Sequence, residues 1–154
     1  MTMIATGPTP LLQSAAIEHP AYTQALALTP ASVSLARLSV RTTLTCWGQD
    51  SLADPAALVV SELVTNSVRH AAPRRLPGDD LAHCRLTVER LTARMVRAAV
   101  ADSSPRPVVP HRPTDEGEHG SGLAVVAALS AQWDVEMARG WKTVWAEPEA
   151  HCGR

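Results

Sequence analysis

Apolar positions recur along the chain with two periods, and the changes from one period to the other divide it into elements. Over Tyr22 to Leu28 a short, partly alternating run closed by Thr29-Pro30 predicts an edge strand. Val33, Ala36, Val40, Leu44 and Trp47 then recur at helical spacing up to Gly48, with Thr29 as the expected cap and Pro30 at the first helical position. Asp54-Pro55 is a second cap and first-turn pair, predicting a helix that ends before Pro73. Pro73 to Asp80 is a turn-rich loop. Leu86 and Val88 alternate within a strand over about Ala82 to Leu91, and a second strand over about Met95 to Ala101 follows a short turn near Thr92. The two make a hairpin ending on Asp102. A third helix is expected from Gly120-Ser121-Gly122 to about Ala131, and then two strands, Trp133 to Met137 and Trp141 to Glu147, that turn at Arg139-Gly140.

Strands grouped as hairpins, with helices to one side, argue for an α+β two-layer sandwich rather than a doubly wound sheet. A chain of 154 residues makes one domain of that kind and buries a core without staples. Residues 1–20, with Pro8, Pro10 and Pro20, are expected to form a flexible leader, 21–148 the single domain and 149–154 a flexible tail. Ser103 to His119 holds four prolines and no periodicity; a loop of that length between ordered elements is usually a lid or a binding loop.

Charge and cysteine content narrow the function classes. A net charge of −1 gives no broad basic field, so neither nucleic acid nor a membrane surface is an expected partner. Met1 to Pro10 has no cationic start or apolar core, and the run Leu123 to Leu129 is too short to span a bilayer, so the expected location is cytoplasmic. Cys46, Cys84 and Cys152 are an odd number at wide spacing, which fits reduced thiols. His83 beside Cys84 and His151 beside Cys152 lack the paired spacing of a zinc site.

The candidate chemistry lies in Glu62-Leu63-Val64-Thr65-Asn66-Ser67-Val68-Arg69-His70-Ala71. On a helix Glu62, Asn66 and His70 follow one another at i, i+4 and i+8, while Ala57, Val60, Val64 and Ala71 fall on another face. A carboxylate and an amide oxygen one turn apart are hard ligands suited to Mg²⁺, which takes the rest of its shell from water and substrate phosphates. The same file also suits a solvated stripe on an amphipathic helix. His119-Gly120-Ser121-Gly122-Leu123 opens a helix whose free N–H groups and dipole suit phosphate, though two glycines there also serve simple loop closure. Asp102, at a strand end, is placed to accept from an exocyclic amine or to sit exposed in a loop.

Taken in order, these motifs resemble those of the GHKL superfamily of ATP-binding domains, and most of all the stand-alone anti-sigma-factor serine-protein kinases. The resemblance covers about Pro30 to Glu147: the Glu62 to Ala71 run resembles the first box, Asp102 with the following loop the second, Gly120-Ser121-Gly122-Leu123 the third, and Lys142-Thr143-Val144 the closing strand. It implies a Bergerat-type fold, a mixed and mostly antiparallel sheet covered on one face by about three helices. It implies ATP and Mg²⁺ as cofactors, Asn66 as the metal ligand and Glu62 as the general base or the group that positions the nucleophile. Arg69 and His70 match positions near the phosphates, Gly120, Ser121, Gly122 and Leu123 the phosphate-binding helix start, Asp102 the reader of the adenine amino group, and Thr143 the support of the adenine end. The implied partners are a sigma factor, a STAS-type anti-sigma antagonist, or both, with a homodimer possible. One departure is plain: where relatives read Asp-x-Gly-x-Gly, this chain has Asp102-Ser103-Ser104-Pro105-Arg106, which narrows or reshapes the adenine pocket. Three functions stay open on these grounds: a serine/threonine kinase, a non-catalytic nucleotide-gated binding module, and a domain that has lost nucleotide binding.

Overall fold

Strand alternation decides which face of the sheet is covered. The computed structural model describes residues 19–71, 82–103, 121–138 and 140–150. Its elements run β1 (Ala21–Ala27), α1 (Ala31–Cys46), α2 (Asp50–His70), β2 (His83–Thr92), β3 (Met95–Asp102), α3 (Ser121–Leu129), β4 (Ser130–Ala138) and β5 (Trp141–Pro148). The five strands form one sheet in the order β1-β2-β3-β5-β4, and all four pairings are antiparallel. The α+β two-layer sandwich expected from the sequence is therefore present, with three helices on one face.

On the covered face Leu26, Cys84, Leu86, Val88, Val96, Ala98, Val100, Val144 and Ala146 are buried in one cluster with Ala36, Val40 and Leu44 of α1. Leu52, Ala56, Val59, Val60, Leu63 and Val64 of α2 and Val126 of α3 complete it. Each fully buried Leu or Val contributes about 1.5–3 kcal/mol, so this cluster dominates the favourable side of folding. Val33 and Trp47 pack against it, which makes the whole apolar stripe of α1 core. The opposite face carries the other half of each strand. There Arg97 lies 4.2 Å over the Trp145 ring and binds Glu147 Oε1 through Nη2 at 2.6 Å and Nε at 3.2 Å.

Two helix starts differ from the sequence expectation. Thr29 does not cap α1: Pro30 occupies the cap position without a side-chain bond, and Thr29 supplies its carbonyl to the Ser32 N–H at 3.1 Å. Helix α2 begins at Asp50, so Asp54-Pro55 lies inside it rather than at its start. The additional turn is held by tertiary contacts that outweigh the proline: Leu52 is buried in the core, and the buried Gln49 donates from Nε2 to the Thr92 carbonyl at 3.2 Å. At the other end α3 stops at Leu129, two residues short of the expected Ala131, because β4 pairs from Ser130 opposite Pro148. Gly140, at φ 74°, takes the left-handed conformation the β4–β5 turn needs. The expected leader through residue 18, the loop Pro73 to Asp80, most of Ser103 to His119, Gly120, Arg139 and Cys152 lie outside the described residues.

Candidate functional site

Two polar groups meet on α2, one on each side of Asn66. The first faces α3. Glu62 and Asn66, one turn apart and half-buried, are approached by Gly122 in the first turn of α3. A Cβ on Gly122 would lie 2.8 Å from Glu62 Oε2, 3.5 Å from Asn66 Oδ1 and 3.9 Å from Asn66 Nδ2. Glycine thus lets the backbone at a helix N-terminus stand against a carboxylate and an amide, where a larger residue would displace them. His70 continues the file and, with Arg69, is exposed in the last turn of α2. Leu123 packs on the core, Ser121 begins the helix, and Gly120 lies outside the described residues.

The second group faces the sheet. Asp102, at the end of β3, is 1% exposed, and Ser67 of α2 donates to its Oδ2 at 2.6 Å. Lys142 of β5 is the register partner of Asp102, with Nζ 3.8 Å from the same oxygen. Cys84 lies in this field as well: burial first, and the Asp102 carboxylate second, push its thiol up to about 11, with a backbone hydrogen bond opposing them. The thiol stays protonated at neutral pH.

The structure separates Thr143 from this group. Lys142, Val144 and Ala146 point to the covered face, so Thr143 between them points to the open one, at the register position of Ala101 and Glu136. Lys142, rather than Thr143, stands beside Asp102. Sequence reasoning gave Ser67 and Lys142 no role, although alternation with Val144 and Ala146 was a signal that Lys142 is buried.

The donor set suits the ions a nucleotide brings. Among the described residues no group of three or more His, Cys, Asp or Glu forms a metal cage. Glu62 Oε2 and Asn66 Oδ1 converge as two hard oxygens at a glycine helix start, which fits a Mg²⁺ that retains waters and phosphate ligands. No helix among the described residues is long and apolar enough to cross a membrane.

No curated protein matches the chain by sequence. Among solved structures, the chain is similar to the RsbU and RsbW domains of Rv1364c from Mycobacterium tuberculosis, with a TM-score of 0.59 and 20% identity over 84% of this chain and 32% of that one. It is also similar to the histidine kinase domain of the blue-light activated histidine kinase of Erythrobacter litoralis EL346, at a TM-score of 0.47 and 18% identity over 80% of this chain and 61% of that one. The chain thus spans less than two thirds of either protein. The profile of the histidine kinase-like ATPase domain matches residues 26–147, from within β1 to within β5, and the family implies ATP binding. The chain belongs to the histidine kinase-like ATPase domain family.

Proposed function

We propose that this domain binds Mg-ATP between α2 and the start of α3 and transfers the γ-phosphoryl group to a serine or threonine of a small STAS-type anti-sigma antagonist. A sigma factor is the second partner, which places the action in the cytoplasm. The observation that supports this reading is the convergence of Glu62 and Asn66 on Gly122. It brings a carboxylate, an amide oxygen and the backbone of a helix start within one small volume, and phosphoryl transfer asks for little beyond a base, a metal ligand and such donors.

In this mechanism the N–H groups at the start of α3 hold phosphate oxygens, with Arg69 and His70 adding positive charge from the end of α2. Mg²⁺, when bound, supplies charge neutralisation at the phosphates, and Asn66 Oδ1 is its ligand from the chain. Glu62 takes the proton of the incoming hydroxyl. The bond from that oxygen to the γ-phosphorus forms as the bond to the β,γ-bridging oxygen breaks, and ADP leaves. Asp102 accepts the adenine amino group.

A second reading is a nucleotide-gated module that binds ATP and changes partner affinity without transfer. It is favoured by Ser104 and Arg106 in place of glycines. Calorimetric titration with ATP, with and without Mg²⁺, tests what the two readings share: Mg-dependent binding is expected, and absence of binding overturns both. Phosphate incorporation into a purified antagonist then separates them.

A further inference from the structure

Lys142 is the sole lysine of the chain; the other thirteen basic residues are arginines. Its side chain is 3% exposed and sits beside an equally buried Asp102. Holding a carboxylate is a task for which a guanidinium is better made, since its planar fork matches the acceptor. This sheet shows as much on its other face, where Arg97 of β3 grips Glu147 of β5 at 2.6 and 3.2 Å. Lys142 and Asp102 join the same two strands, yet at 3.8 Å their contact is outside hydrogen-bond distance. Among the described residues the ammonium is held by this one loose ion pair and makes no hydrogen bond. A buried charge so incompletely bonded is costly unless a ligand supplies an acceptor.

We propose that Lys142 and Asp102 together read the hydrogen-bonding edge of the nucleobase, Asp102 accepting from the adenine N6 amino group and Lys142 donating to the adjacent ring nitrogen N1. A carboxylate only accepts and an ammonium only donates, so the pair is complementary to an edge that presents an N–H beside a lone pair. Adenine offers N6–H and N1 in that arrangement. Ser67 fixes the pair by donating to Asp102 Oδ2, the oxygen nearest Lys142. The inference rests on the ATP-binding reading above and adds Lys142 as its specificity-determining residue. Guanine offers N1–H and O6 in a similar arrangement, so the test includes it.

The test is calorimetric titration of the full chain with Mg-ATP, with the 1-deaza analogue in which C–H replaces N1, and with Mg-GTP. Loss of a hydrogen bond to a charged donor should weaken the analogue by roughly tenfold or more against ATP. Lys142→Met should bind ATP and the analogue equally. Should that variant fail to fold, the comparison on the unaltered chain still decides. Equal affinity of the unaltered chain for ATP and 1-deaza-ATP overturns the lysine contact and leaves the ATP reading standing. Tighter binding of GTP than of ATP overturns the adenine assignment, and binding of no nucleotide overturns both this inference and the reading beneath it.

Discussion

Glu62 Oε2 stands 2.8 Å from the place where a side chain on Gly122 would begin. The contact joins the far end of a flexible side chain to a helix backbone, and that decides what a substitution at Gly122 does. Gly122→Ala forces the Glu62 carboxylate aside at small energetic cost, because Glu62 is a flexible and only half-buried side chain. Helix propensity works the other way, Ala being favoured over Gly by about 0.8–1 kcal/mol within a helix. The melting temperature of Gly122→Ala should therefore stay level or rise, while ATP affinity or phosphoryl transfer falls by roughly tenfold or more for the displaced group. A variant equally active removes Gly122 from the site, and one that unfolds shows that the Glu62 side chain cannot yield to the added methyl.

Asn66→Ala should remove the response of ATP binding to Mg²⁺ while leaving the fold intact. Asn66 is half-buried and outside the apolar cluster, so its loss opens no cavity among Val60, Leu63 and Val64. Calorimetry with and without Mg²⁺ reads the outcome. Unchanged Mg-ATP affinity in a folded variant places the metal elsewhere.

Ser67→Ala should cost about 1.5–3 kcal/mol in urea unfolding, the range for a hydrogen bond to a charged group. Ser67 is 2% exposed and bonds Asp102 at 2.6 Å, so water does not easily replace it. A loss below about 0.5 kcal/mol, the size of an ordinary surface substitution, shows that Asp102 does not need this donor.

The two accessible periods of the sequence made the fold legible. Val33, Ala36, Val40 and Leu44 revealed α1, and Leu86 and Val88 the covered face of β2, because burial imposes 3.6 or 2 on the positions it touches. Element starts were less legible. Asp54-Pro55 has the local chemistry of a helix cap, but Leu52 and Gln49 gain burial and a bond to Thr92 by extending α2 another turn, and no local pattern records that gain. At the site, the Glu62, Asn66 and His70 file was visible because it is written along one helix. The Ser67, Asp102 and Lys142 group was not, since it joins α2, β3 and β5 and exists only once the register sets Asp102 opposite Lys142. Thr143 attracted attention through its motif, and one step of alternation moves it to the other face.

Thiol chemistry should divide Cys46 from Cys84. Cys46 is exposed at the end of α1, whereas Cys84 is 1% exposed with its thiol pushed up from 9.0 to about 11. In the native protein a maleimide should label Cys46 and spare Cys84 at pH 8, as followed by peptide mapping; denaturant should expose both. The raised value also has a sign for stability. Because unfolding lets Cys84 ionise at its ordinary value, its contribution is complete below about pH 9 and is lost as pH rises from there toward about 11. Cys84→Ser should flatten that part of the urea-midpoint profile. An unchanged profile shows that the thiol does not titrate as its surroundings require.

Glu62→Gln separates the kinase from the gated module, because it keeps the shape of the side chain and its reach toward Gly122 but removes its basicity. If Glu62 takes the proton of the attacking hydroxyl, transfer should fall by about 10²-fold or more, as for removal of a general base. ATP affinity should change little, since a base that acts only in the transition state contributes to rate rather than to ground-state binding. The measurement is phosphate incorporation into a purified antagonist at saturating Mg-ATP, with antagonist binding confirmed directly for both proteins. Equal and robust transfer by both removes Glu62 from the role of base. Transfer by neither, with ATP and antagonist both bound, rejects the kinase and supports the gated module, in which the carboxylate beside Asn66 serves nucleotide binding alone.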